Sequence, residues 1–201
     1  MLCGGINMNT PNKISLVRIF LIPLMIFFYL ADFIPYGKAV ALGILIIASC
    51  TDFVDGMIAR KYNLVTDLGK FLDPIADKLL TMSALILVIS DGTIPAPYGV
   101  IAGIIIIGRE LIISAFRQIA ASKNFVMAAD WWGKIKTVFQ DISLPGLFLL
   151  AFLYQYQTQF NIPSKVIFAF EILNWILLGI SVALTIVSAI NYLVKNRKVL
   201  K

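Results

Sequence analysis

Long apolar runs alternate with short clusters of turn formers along this chain. Six runs stand out, at 14–35, 38–60, 71–90, 97–121, 131–154 and 166–194. Each is long enough for a helix to cross a hydrocarbon core, which takes roughly 20 residues. The breaks hold Asp91-Gly92-Thr93-Ile94-Pro95 and Asn161-Ile162-Pro163-Ser164, residues that punctuate helices. The pattern predicts an all-α integral membrane protein with six transmembrane helices, forming one membrane domain over 1–201. Residues 1–7 look detached. They lack the basic stretch and apolar core of a signal peptide, so they read as a dispensable extension, with Met8 a natural start. Gly99 and Gly103 form a small-xxx-small pair, which suits close helix packing or a subunit contact.

Composition strengthens the membrane reading. Of 201 residues, 60% are hydrophobic and 14% charged, whereas soluble domains run near about half and about a quarter. Basic residues set the orientation. With the N-terminus inside, only Lys38 and Lys165 of the 17 basic residues fall outside, so both termini are expected in the cytoplasm. The same excess would hold the inner face to anionic lipid head groups, and no nucleic-acid partner is expected. Trp131, Trp132, Tyr154, Tyr156 and Tyr192 lie near predicted span ends, as interfacial anchors do. Cys3 and Cys50 form no framework.

The charges inside this apolar chain carry the chemistry. Asp52, Asp55, Gly56, Ala59 and Arg60 close the second run and fall within roughly 140° of one helix face. Gly69, Asp73 and Asp77 open the third run, stepping by four. If the two runs are antiparallel helices, both groups sit near the cytoplasmic end, in a cytoplasm-facing cavity. Pro74 suits a first helical turn, so the third helix is expected to start near Asp73, with Asp67 capping the preceding turn. Four converging carboxylates would repel by several kcal/mol per close pair at an effective dielectric near 20. Protonation or cations must relieve this, and two divalent cations would cancel the four charges. The chain has no histidine, which favours hard cations such as Mg²⁺ or Mn²⁺. Paired metals stabilise both attacking and leaving oxygens in phosphoryl chemistry. Gly56, Ala59 and Gly69 leave room for a ligand near the backbone, and Arg60 offers a planar fork for phosphate.

The spacing Asp-x2-Asp-Gly-x2-Ala-Arg-x8-Gly-x3-Asp-x3-Asp, complete over residues 52–77, resembles the signature of the CDP-alcohol phosphotransferase family. The six-run layout resembles that family over nearly the whole chain. A finer likeness is to its bacterial, phosphatidylglycerophosphate-forming branch. It rests on Met8-Asn9-Thr10-Pro11-Asn12-Lys13 with Arg18, Gly108-Arg109-Glu110 with Arg117, and Gly133-Lys134-Ile135-Lys136-Thr137 with Gln140. The Asp130-Trp131-Trp132 stretch before Gly133 is a variation without an assigned purpose. The resemblance implies a plasma-membrane homodimer moving a phosphatidyl group from CDP-diacylglycerol to glycerol 3-phosphate, giving phosphatidylglycerophosphate and CMP. It further implies metal binding by Asp52, Asp55, Asp73 and Asp77, with Asp77 also the catalytic base. Asp52, Asp55, Gly56, Ala59, Arg60 and Gly69 would bind the CDP part.

An anionic acceptor needs a second basic site, for which Arg109, Arg117, Lys134 and Lys136 are the candidates. Competing readings are an Arg109–Glu110 ion pair and lysines snorkelling to the interface. Arg18 could reach either the pocket or lipid head groups. Glu171 has no assigned role beyond a place in the outer leaflet. Other acceptors (serine, inositol phosphate, a second phospholipid) define the nearest alternatives. A divalent-cation transporter is more distant, because no internal repeat is evident and Gly56, Ala59 and Arg60 have no use in a cation path. A structural protein with a metal-stabilised turn would leave Arg109, Arg117 and Lys134 idle.

Overall fold

A computed structural model describes residues 10–61, 67–122 and 131–195, with side chains for 15–51, 74–120 and 131–195. Among them are six helices and no strand: α1 (Thr10–Leu30), α2 (Gly37–Lys61), α3 (Asp67–Ser90), α4 (Tyr98–Ser122), α5 (Trp131–Tyr156) and α6 (Ser164–Lys195). The expected extension at 1–7 lies outside the described residues. Two compact units divide the chain, Met1–Ala84 and Leu85–Lys201.

In the first unit α1 packs along α2. Met25, Tyr29, Ala41, Leu45 and Ala48 are buried. α1 stops at Leu30, short of the expected end at residue 35, because a turn intervenes. Ile34 N donates to Ala31 O and Gly37 N to Ile34 O, and Pro35 cannot extend a helix. Tyr36 takes φ +61°. A Cβ on Gly37 would lie 2.5 Å from Phe28 O, so only glycine lets α2 start this close to α1. Arg18 is fully buried, which rules out lipid head groups as its contact.

In the second unit the principal seam is α5 on α6, and α4 packs on α6 as well. Its seam inverts the usual soluble pattern. Lys136, Gln140, Ser143, Asn174, Ser181, Thr185 and Ser188 are buried, whereas Ile104 and Phe168 are more than 60% exposed. Polar groups turned inward and bulky apolar ones turned outward suit a lipid solvent. Among the described residues, three helices are long and apolar enough to cross a membrane: Tyr98–Ala120, Trp131–Tyr156 and Ser164–Lys195, with mean hydropathies of 2.0, 1.4 and 2.1. Shorter apolar stretches, Ser15–Leu30 and Gly37–Thr51, belong to α1 and α2. The architecture is that of an all-helical membrane protein.

The expected breaks are present. Asp91 Oδ1 accepts from Thr93 N at 2.9 Å and Thr93 Oγ1 at 2.6 Å, and Gly92 takes φ +77°. The glycine pair of α4 meets its own chain. A Cβ on Gly99 would lie 2.8 Å from Ile94 O, and one on Gly103 2.8 Å from Ile89 Cδ1. Close intramolecular packing therefore accounts for both glycines.

Candidate functional site

The acidic motif lies on α2 and α3. Asp52, Asp55, Gly56, Ala59 and Arg60 fall on α2, which runs unbroken to Lys61. Gly69, Asp73 and Asp77 fall on α3. Their sequence steps are therefore helical steps, as the spacing predicts. α3 starts at Asp67, not near Asp73. Pro74 is consequently interior to the helix, where its ring denies one backbone carbonyl a partner. Asp67 is the first helical residue. The side chains of 52–73 lie outside the described residues, among them Asp52, Asp55 and Asp73 of the expected metal set. Asp77 is described: its side chain is exposed, and its backbone carbonyl accepts from Thr81 Oγ1 at 3.1 Å. A set of carboxylate oxygens, one of them exposed, in a chain without histidine fits a hard divalent cation by donor chemistry.

The basic candidates belong to the second unit. Arg109 and Lys136 come from α4 and α5, and Glu110 joins them. Its Oε1 accepts from Lys136 Nζ at 2.6 Å and from Arg109 Nη1 at 3.2 Å. The Lys136 side chain is wholly buried, those of Arg109 and Glu110 nearly so. The snorkelling expected of Lys136 as an alternative does not occur, because its ammonium is held by Glu110 inside the bundle. The Arg109–Glu110 pair does form, so one carboxylate oxygen faces two cations, and the carboxylate of Asp141 also acts on Lys136. Arg109 Nε is buried and has no hydrogen-bond partner among the described residues. A buried donor without a partner is costly, and an acceptor oxygen would relieve it. Arg109 also lines a cleft of about 380 Å³ with Gly108, Thr185, Ala189 and Ile190.

Helix α6 supplies hydroxyls to the α4 arginines. Arg109 Nη2 donates to Ser188 Oγ at 2.7 Å, and Arg117 Nε to Tyr192 Oη at 3.3 Å. The Arg117 guanidinium carbon lies 5.8 Å from the Tyr192 ring centre. Tyr192 is therefore a buried arginine partner, not the interfacial anchor its position near a span end suggested. Gly133 sits beneath the cluster: a Cβ there would lie 3.1 Å from Arg109 Nη2 and 3.4 Å from Ser188 Oγ. Lys134 is two residues from Lys136, about 200° around the helix. Its ammonium lies 6.0 Å from the exposed Trp131 ring, so the structure joins Arg109 to Lys136 and leaves Lys134 apart.

Sequence reasoning passed over Ser188 and read Tyr192 only as an interfacial anchor. Ser181, Thr185, Ser188 and Tyr192 step by 4, 3 and 4 along an otherwise apolar helix, and that polar stripe was the available signal. Glu171 has a partner: it interacts with the Tyr154 hydroxyl and borders a cavity with Phe168 and Trp175.

Comparison with known proteins gives a consistent result. The sequence model of the CDP-alcohol phosphatidyltransferase family matches residues 8–187. A Bacillus subtilis protein named CDP-diacylglycerol–glycerol-3-phosphate 3-phosphatidyltransferase is 40% identical over 205 residues, covering 96% of this chain and 97% of its own. Proteins of the same name from Haemophilus influenzae and Rickettsia felis are 38% and 35% identical. The alignments cover 92% and 93% of this chain, and 91% and 94% of theirs.

Proposed function

The chain belongs to the CDP-alcohol phosphatidyltransferase family, and on that premise we propose that it transfers a phosphatidyl group from CDP-diacylglycerol to glycerol 3-phosphate. The products are phosphatidylglycerophosphate and CMP. The observation that carries the choice of acceptor is the meeting of two buried cationic side chains, Arg109 and Lys136, at one oxygen of Glu110. A phosphate monoester brings more negative charge to such a pair than serine, which adds an ammonium of its own. The names of the relatives favour the same acceptor.

The family is generally divalent-cation dependent. Asp52, Asp55, Asp73 and Asp77 would hold the cations, Mg²⁺ or Mn²⁺ and two per site. Bound there, the cations would neutralise the pyrophosphate and the departing CMP. Arg60 meets a phosphate of the CDP group, while Gly56, Ala59 and Gly69 leave its path free of side chains. Arg109, Lys136 and Arg117 receive the acceptor phosphate, with Lys134 as an outlying basic group. Asp77 takes the proton from the glycerol hydroxyl, a role that requires hydrogen-bond reach to that oxygen. The oxygen attacks the lipid-bearing phosphorus in line with the bond to the CMP phosphate. That bond breaks, and its electron pair leaves on CMP. The working enzyme is a homodimer in the bacterial plasma membrane. It crosses the membrane six times as one domain, with both termini and the active site on the cytoplasmic side.

Purified protein in detergent with Mg²⁺ or Mn²⁺, CDP-diacylglycerol and glycerol 3-phosphate is expected to release CMP. Release with serine or inositol phosphate, but not with glycerol 3-phosphate, would reject the acceptor. No release with any alcohol would reject the transferase reading for this chain.

A further inference from the structure

We infer that Ser188 and Tyr192 of α6 are positioning residues that aim Arg109 and Arg117 of α4 at the acceptor phosphate, and so set the preference for a phosphorylated acceptor. The inference rests on the glycerol 3-phosphate reading above and adds a device to it.

Three observations support it. Each arginine of α4 meets one hydroxyl of α6, Arg109 at Ser188 and Arg117 at Tyr192. The two hydroxyls are four residues apart, so they occupy one face of α6. An arginine side chain carries about 2 kcal/mol of rotamer entropy, and a hydroxyl that fixes one guanidinium nitrogen removes much of that freedom before a ligand arrives. Gly133 then keeps the space around that bond open, since a Cβ there would press on both Arg109 Nη2 and Ser188 Oγ. Finally, Ser188 engages Nη2 and Glu110 engages Nη1, while Nε is buried with no hydrogen-bond partner among the described residues. The guanidinium is thus held from two sides, with two of its five N–H donors engaged.

Neither hydroxyl needs to touch substrate, since each acts through its arginine.

Steady-state kinetics of the full chain in detergent provide the test, with CMP release as readout. A hydrogen bond to a charged group corresponds to tenfold or more in an equilibrium constant. Ser188→Ala is therefore expected to raise KM for glycerol 3-phosphate about tenfold. The KM for CDP-diacylglycerol and the kcat at saturating acceptor should change less than about twofold, as expected for uniform loss of acceptor binding. Ser188→Thr, which keeps the hydroxyl, should restore most of the affinity. Tyr192→Phe keeps the ring and loses the hydroxyl, and is expected to raise the same KM about threefold. It remains informative if Ser188→Ala does not fold. A purely structural role would lower kcat and both affinities together, and that result overturns the inference. So does an unchanged acceptor KM in folded Ser188→Ala, or in folded Tyr192→Phe where Ser188→Ala yields no folded protein. Wild-type protein inactive with glycerol 3-phosphate overturns the functional reading and this inference together. Active wild type with an unchanged variant overturns the inference alone.

Discussion

One oxygen of Glu110 serves two cations, at 2.6 Å from Lys136 Nζ and 3.2 Å from Arg109 Nη1. Removing one partner of a buried ion pair leaves an uncompensated charge, which costs roughly 3–5 kcal/mol. Glu110→Ala is therefore expected to lower the thermal unfolding midpoint in detergent sharply. Adding Lys136→Met should recover much of that stability, because the stranded ammonium is gone, while acceptor affinity stays lost. Equal midpoints for the single and double variants would count against the pairing. Gly133→Ala tests the crowding around Arg109. Its methyl would sit 3.1 Å from Nη2, and the expected result is a weaker acceptor KM with intact CDP-diacylglycerol affinity. Asp77→Asn is expected to leave an extractable protein and to cut turnover by about 10²-fold or more, the contribution of a general base. Wild-type turnover in that variant would rule out Asp77 as the base. The helical placement of the acidic motif was legible because its members are close in sequence and step by helical intervals. The basic cluster was only half legible. Arg109 and Lys136 stood out as charges in apolar runs, but their shared Glu110 and the Ser188 hydroxyl depend on how α4, α5 and α6 meet. No local spacing encodes that.

At the scale of the helices, the apolar runs located every element, and the errors lie at the ends. α1 stops at Leu30 because the residues up to Pro35 fold into a turn stabilised by backbone bonds. α3 starts at Asp67, two turns before the Pro74 that suggested a later start. Proline is at home in a first turn, but helices in membrane proteins also tolerate it internally when neighbours satisfy the freed carbonyl. Residue type alone does not separate the two cases. The α5–α6 seam carries its own test. A Cβ on Gly146 would overlap Asn174 Oδ1, while Gly179 has nothing within 4 Å of that position. Gly146→Ala is expected to destabilise by about 1–3 kcal/mol through overpacking. Gly179→Ala should be neutral or slightly stabilising, as alanine favours helix by up to about 1 kcal/mol. Equal unfolding midpoints for the two variants would show that the seam can shift to accept a methyl.

For the molecule as a whole, charge and burial point to one arrangement in the membrane. The basic groups of α4 and α5, Arg109, Arg117, Lys134 and Lys136, lie between the middle and the end of one helix and in the opening turns of the next. Ser188 and Tyr192 lie near the end of α6, and their bonds to Arg109 and Arg117 bring these portions together at one end of the second unit. Lys165, at the start of α6, belongs to the opposite end. The proposed orientation, which would leave only Lys38 and Lys165 outside, would put this cluster on the cytoplasmic side, where basic loops are retained. Long exposed apolar side chains on α4 and α6, such as Ile104 and Phe168, have no favourable place in water and suit lipid. Three spans are evident from length and hydropathy, and the apolar parts of α1 and α2 are shorter. With α3 carrying acidic groups at its start, the number of crossings turns on whether these three helices also pass through. An even total of six returns the C-terminus to the side of the N-terminus. A green fluorescent protein fused after Lys201 should therefore fluoresce, and alkaline phosphatase fused at the same point should be inactive. Fusions in the α3–α4 turn near Gly92 should behave in the opposite way, because three crossings separate that turn from the N-terminus. An active phosphatase at the C-terminus would mean an odd number of crossings, and the helix to re-examine first would be α3.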